Sequence, residues 1–281
     1  MTTLQLIRLS LFALFGLFPT VLTAQSSASS DVQPNTLRTH STMLGLGYRN
    51  SLDTYLSPEE YTGTELRLMR ENMRMTKLMD GHVSVQNIMQ GNFTYTKTAT
   101  EDGKELGGLF DWNITWHYHL QPLPQLTLMA GVGPGFHCGF VYNTRNGNNP
   151  AQARLSTEVN LSAMAIWKVP LARQTLTLRY QVDIPTVGLM FSPNYGQSYY
   201  EIFSLGHYDH NVCFTNLFQA FSCHHLLTAD YPFKWGTMRI GYLGSARQFQ
   251  VNNLKQHDWS HLFLIGYVNH FRLVKSLNTS N

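Results

Sequence analysis

The chain has 281 residues and a net charge of +3, with 43% hydrophobic, 12% aromatic and only 13% charged residues. The charged share is about half that of an ordinary soluble domain, and so small a net charge gives no electrostatic footprint for nucleic acid. After residue 24 no apolar run approaches the roughly 20 residues a spanning helix needs, which argues against a helical membrane protein.

Residues 1–24 read as a secretory signal peptide: Arg8, an apolar run from Leu9 to Leu22, and Thr23-Ala24 as a cleavage site. Its rival, a membrane-anchoring helix, is disfavoured by the shortness of the run and the Ser-rich stretch after it. Residues 25–40 are expected to be a flexible lead. Strand-like segments then recur between turn signals. In Ser41 to Arg49, Leu44, Leu46 and Tyr48 oppose Gly45, Gly47 and Arg49. Residues 50–63 are expected to form a loop, since Pro58 argues against a central strand. Thr64 to Met75 follows as a charged strand, then a tight turn at Asp80-Gly81. Val83 to Thr96 alternates well, and 97–107 is a polar loop.

The stretch Phe110 to Leu120 carries the clearest signal. Phe110, Trp112, Ile114, Trp116, Tyr118 and Leu120 alternate with Asp111, Asn113, Thr115, His117 and His119. One face is aromatic and the other is polar, which suits lipid outside and a polar lumen inside. Further strands are expected at 126–142, 155–167, 176–184, 214–231 (phase unclear), 235–243 and 261–273. Residues 185–211 and 244–258 read as loops, and 275–281 as a tail.

The connections alternate in length, as in outer-membrane barrels. The expected fold is therefore all-β: a closed antiparallel up-and-down transmembrane β-barrel over 41–274, of about ten strands, with eight or twelve as alternatives. A secreted β-sandwich or lipocalin-like barrel is the soluble rival. Cys138, Cys213 and Cys223 are an odd set. Cys213 and Cys223 could pair across a hairpin or not at all, and all three are read as structural.

The block Met43 to Arg67, and within it LDTYLSPEEYTG from Leu52 to Gly63, resembles the start of an uncharacterised exported family from Bacteroidetes-type bacteria. The resemblance extends over most of the chain. It implies a porin-like outer-membrane barrel of unknown function, and it carries no catalytic motif.

Glu65, Arg67, Asp111, His117, His119, Glu158, Arg179, Asp183 and Arg239 all point to the expected lumen. They form either a structural polar plug or a charged solute path. Gly131, Gly133, Gly135 and Gly139 share the inner face. They leave room for a path, for a neighbouring side chain, or for a bend. His207, Asp209 and His210 sit in the longest loop, with His224 and His225 downstream. They match no metal-binding spacing, and no nucleophile motif is present. Three Asn-x-Ser/Thr sequons, at Asn92, Asn113 and Asn160, fall inside expected strands and are discounted. No metal, cofactor or catalytic residue is expected. Outer-membrane lipid is the expected environment, with a small solute or an envelope protein as candidate partner and no nucleic acid. The expectation is a non-enzymatic barrel serving as narrow conduit, surface-binding barrel or accessory to an envelope complex. The alternatives are an outer-membrane hydrolase using loop histidines and a soluble periplasmic β-protein.

Overall fold

The computed structural model describes residues 37–171, 174–234 and 236–272. The expected signal peptide and the C-terminal tail lie outside these residues. Eleven strands follow one another: β1 Leu37–Asp53, β2 Ser57–Met75, β3 Val83–Lys97, β4 Lys104–Leu123, β5 Leu126–Asn143, β6 Ala151–Leu171, β7 Gln174–Phe191, β8 Val212–Asn216, β9 Ser222–Phe233, β10 Gly236–Val251 and β11 Leu254–Arg272. One short helix, α1 (Tyr199–Phe203), precedes β8. Among the described residues no helix is long and apolar enough to cross a membrane.

Neighbours in sequence pair antiparallel from β1 to β8 and from β9 to β11, β7 also pairs with β9, and β1 pairs with β11. The result is a closed barrel of ten strands, with β8 added on the upper end of β7. Closure leaves no open edge around the ring, so backbone groups are satisfied even against hydrocarbon. The register also fixes the tilt. A circuit from Ser84 runs through His117, Gly131, Ser162, Asp183, His224, Ser245, Ser260, Arg49 and Gly63, and meets β3 again at Thr96, twelve residues further along. Ten strands with a stagger of twelve lean about 40° from the axis.

The faces follow the alternation. Trp112, Trp116 and Tyr180 are outward and about two-fifths exposed, while Asp111, Thr115 and His117 are buried inside. Core and surface are thus inverted relative to a soluble sheet. The wall outside is apolar and the filling is polar, apart from a small inner cluster of Met43, Met69, Ile88, Leu226, Leu243, Leu262 and Leu264.

Three expectations on boundaries need correction. The barrel begins at Leu37, not at 41, so the last part of the expected lead is strand. The expected loop 50–63 is a three-residue connection, because β1 runs to Asp53 and β2 starts at Ser57. Pro58 is tolerated since β2 first pairs with β3 at Thr62, and above that its other edge is free. The expected loop 244–258 is a hairpin. Asn252 and Asn253 have φ of 52° and 60°, the pair of left-handed residues that a two-residue β-turn demands. The strands are 15–21 residues long around most of the ring, where about 9–11 would span a bilayer. At their upper ends the outer face is polar and the inner face is packed with buried ion-paired side chains such as Arg49, Asp53 and Arg154, so apolar alternation is lost there although the ladder continues.

Of the expected loop 185–211, residues 185–191 belong to β7, and the connection proper is 192–211, which carries α1. Its Ser198 caps the helix: the Ser198 hydroxyl accepts from the Glu201 N–H, and the Glu201 carboxylate accepts from the Ser198 N–H. The unclear phase of the strand expected at 214–231 has a cause. Residues 217–221 form a turn inserted between β8 and β9, and they throw Phe218 outward, 93% exposed. A bulge at Thr186, opposite Val159 and Asn160, explains how β7 continues past Pro185.

Candidate functional site

The barrel interior is built at three levels from side chains on opposite walls. At the level nearest the short turns, Glu71 on β2 takes Arg179 of β7 at 2.5 Å and Arg239 of β10 at 2.7 Å. β2 and β7 stand five places apart in the ring of ten, so the Glu71–Arg179 pair crosses the full diameter. Gln86 donates to Glu71 at 2.6 Å and exchanges amide hydrogen bonds with Gln181 at 3.0 Å. Arg239 also grips Asp230 with two bonds of 2.6 and 2.7 Å, the bidentate geometry that suits a guanidinium.

At the middle level Arg247 of β10 reaches Glu158 of β6 at 2.8 Å and Asp111 of β4 at 3.5 Å. β4 and β10 are again diametrically opposed. His137 Nδ1 lies 2.5 Å from Asp111. Arg67 donates to Glu65 on its own strand, and Glu65 in turn receives Ser260 and Arg49. At the upper level Arg154 of β6 lies 2.9 Å from Asp53 of β1, a third pair across the diameter. Arg49 bonds Asp258 as well. Between the levels is a cavity of about 60 Å³, lined by Arg67, Gln90, Asp111, Asp183 and His224 among others, room for a few water molecules.

The nine expected lumen residues all face this interior. Glu65, Arg67, Asp111, His117, Arg179 and Arg239 are buried. The structure brings Arg179 and Arg239 together on Glu71, and Asp111 and Glu158 together on Arg247. His117 instead meets Ser162 at 2.9 Å, His119 meets Ser84 at 2.7 Å, and Asp183 accepts from Gln181. The sequence reading missed the hubs. Glu71 keeps the phase of Glu65 and Arg67, and carrying that alternation four residues further would have found it. Arg247 and Asp258 were hidden in the stretch expected to be a loop. Asp53 and Arg154 lie beyond the limits drawn for their strands.

The inner glycines do not leave an open path. A Cβ on Gly131 would lie 2.5 Å from the His117 ring, and one on Gly133 1.8 Å from the Ile114 carbonyl. They let neighbouring side chains and backbone close in. Above the lumen, Tyr55 donates to the Gln197 carbonyl, and Tyr199 donates to Gln152 and accepts from the Ala153 N–H. Burial pushes both phenols above their ordinary pKa, so they stay protonated donors. Asp209 and His210 are exposed and are used through their carbonyls, which accept from Asn194 and Asn252. Among the described residues no group of three or more His, Cys, Asp or Glu side chains could hold a metal. Cys138, Cys213 and Cys223 are free thiols.

Residues 4–278 match a family described as a protein of unknown function, DUF3316. No match among curated proteins was found. Three solved structures are similar in fold. The autotransporter NalP translocator domain of Neisseria meningitidis has 11% identity and a TM-score of 0.38, over 84% of this chain and 90% of that one. The outer-membrane protease OmpT of Escherichia coli has 7% identity and a TM-score of 0.44, over 88% and 100%. The β domain of the Bordetella autotransporter BrkA has 9% identity and a TM-score of 0.43, over 84% and 100%. At such identity these are likenesses of architecture and say nothing of activity.

Proposed function

The chain belongs to the DUF3316 family, and we propose that it serves in the outer membrane of a Gram-negative, Bacteroidetes-type cell as a plugged β-barrel that binds at its surface and passes no solute. The observation that carries this reading is the set of three ion pairs across the diameter: Glu71–Arg179, Asp111–Arg247 and Asp53–Arg154. Each puts a bonded pair where a solute would have to pass. Buried ion pairs of this kind are costly to break one partner at a time, so the plug resists casual opening. An apolar outer wall on a closed ring of strands supports membrane insertion. Residues 1–24 supply the export signal in this reading. The absence of any nucleophile or metal motif in the sequence, and the backbone-only use of Asp209 and His210, support a binding role over a hydrolytic one.

Two experiments test it. Cell fractionation with heat-dependent gel mobility is expected to place the folded protein in the outer membrane; recovery as a detergent-free soluble protein would refute the reading. Planar-bilayer recording is expected to be silent for the natural chain. Steady ohmic conductance would replace the plugged barrel with a conduit.

A further inference from the structure

The outer wall has a basic break on β1 and β2. On β4 the outward ladder is Trp112, Ile114, Trp116 and Tyr118, and on β10 it is Met238, Ile240 and Tyr242. Near the same end of the barrel, the outward ladders of β1 and β2 are polar and basic instead. Register sets Arg38 opposite Arg74, His40 opposite Asn72, and Thr42 opposite Arg70. The row through His40 and Asn72 continues to Asn269 on β11 and Asn87 on β3. Immediately above lie Leu44 and Leu68, both about half exposed.

Among the described residues Arg38, Arg70 and Arg74 make no hydrogen bond or ion pair, and the carboxylate on their face of β1 and β2, Glu60, stands at the far end of β2, bonded to Asn50. Two like charges directly across an antiparallel pair repel. A guanidinium on a lipid-facing wall costs more the further it stands from the edge of the apolar belt, and Arg70 stands four residues nearer the belt than Arg74. The Asn72 Oδ1 atom is buried there without a partner. Three cations kept together under these costs match an anion that arrives from outside the chain.

We propose that this face of β1 and β2 seats the phosphate of an anionic phospholipid, phosphatidylglycerol or cardiolipin, in the leaflet at the short-turn end. This rests on the reading of the barrel as membrane-spanning. Guanidinium forks bind phosphate oxygens in pairs. Leu44, Leu68 and Met89 carry the lipid-facing wall on from the basic patch, so headgroup and acyl chain each meet a matching surface. A second copy is a poor occupant. A two-fold contact through this face would set six guanidiniums together with no carboxylate.

The test uses the full chain purified in zwitterionic detergent, with bound lipid read by native mass spectrometry. Phosphatidylglycerol or cardiolipin is expected to be retained at least tenfold over phosphatidylethanolamine. The triple variant Arg38→Gln/Arg70→Gln/Arg74→Gln is expected to lose that preference, while Arg145→Gln on the opposite rim keeps it. Should the triple variant fail to fold, Arg70→Gln and Arg74→Gln singly are each expected to weaken retention several-fold. Equal retention by the variants and the natural chain overturns the proposal. So does equal protection by inorganic phosphate alone, which would make this a small-anion site. A photo-reactive residue in place of Met89 that captures an acidic protein in cells, and no phospholipid, overturns it too. Heat-dependent gel mobility is read on every sample, so loss of the barrel and loss of the lipid site give different results.

Discussion

Arginine is used in two opposite ways in this molecule. Inside, Arg49, Arg67, Arg154, Arg179, Arg239 and Arg247 each lie against a carboxylate, and three of these contacts cross the barrel. Outside, Arg38, Arg70 and Arg74 crowd two adjacent strands and meet no carboxylate among the described residues. The difference teaches where the binding capacity lies. A buried cation with its partner built in is committed to structure, because desolvation makes any exchange of partner costly. A cation left unpaired at the edge of the apolar wall remains available to a ligand.

Glu71→Ala is expected to break the inner half of this contrast most severely. Among the described residues it strips Arg179 of its only ion-pair partner and Arg239 of one of two. Removing one member of a buried pair costs about 3–5 kcal/mol, to be read as a lower urea midpoint for loss of the compact, heat-modifiable band. The double replacement Glu71→Leu/Arg179→Met sharpens the point, since removing both charges spares the orphan. Its loss is expected to be smaller than that of Glu71→Ala alone, and a loss equal to the sum of the single changes would show that the two groups are not coupled.

The outer half is tested by moving a charge upward. Leu68→Arg puts a guanidinium two residues deeper into the wall than Arg70, and is expected to cost about 2–4 kcal/mol in a neutral lipid. Arg70→Leu in the same neutral lipid is expected to be neutral or slightly stabilising; a large loss would mean that Arg70 is held by a protein contact. The smallest effect belongs to the rim, outside both sets of arginines. Ser198→Ala removes the cap of α1, expected to cost about 1 kcal/mol of local helix stability. Faster amide exchange at 199–204 would report it. Bonds from the Ser198 N–H and hydroxyl hold the Glu201 carboxyl below its ordinary pKa. A depressed carboxyl stabilises the folded state above its unfolded value, and that contribution is lost as pH falls through the folded value. Protection of α1 is therefore expected to fade only in acid and to be flat at neutral pH.

How far the sequence could be read depends on what wets each face. In β4 and β7, lipid on one side and a packed polar interior on the other impose strict alternation, so Trp112, Trp116, Tyr180, Asp111 and Arg179 were assigned to the correct sides. Where the strands rise past the apolar belt, the outer face meets water and the inner face holds buried polar side chains such as Asp53, Arg154 and Asp258, so both faces are polar and hydropathic alternation has no cause. Residues 50–63 and 244–258 therefore read as loops although hydrogen-bonded ladders run through them.

Local patterning by itself determined the class of fold, the antiparallel order and the side to which each mid-strand residue points, because a pleated strand between two unlike media has only one favourable register. It could not determine which inward residues meet. That choice belongs to closure: a stagger of twelve over ten strands sets β2 against β7, β4 against β10 and β1 against β6. Partners as far apart in sequence as Asp111 and Arg247, or Glu71 and Arg179, come into contact only once the ring has closed, whereas pairing of the neighbouring strands β1 and β2 already gathers the three outward arginines on one short stretch of wall.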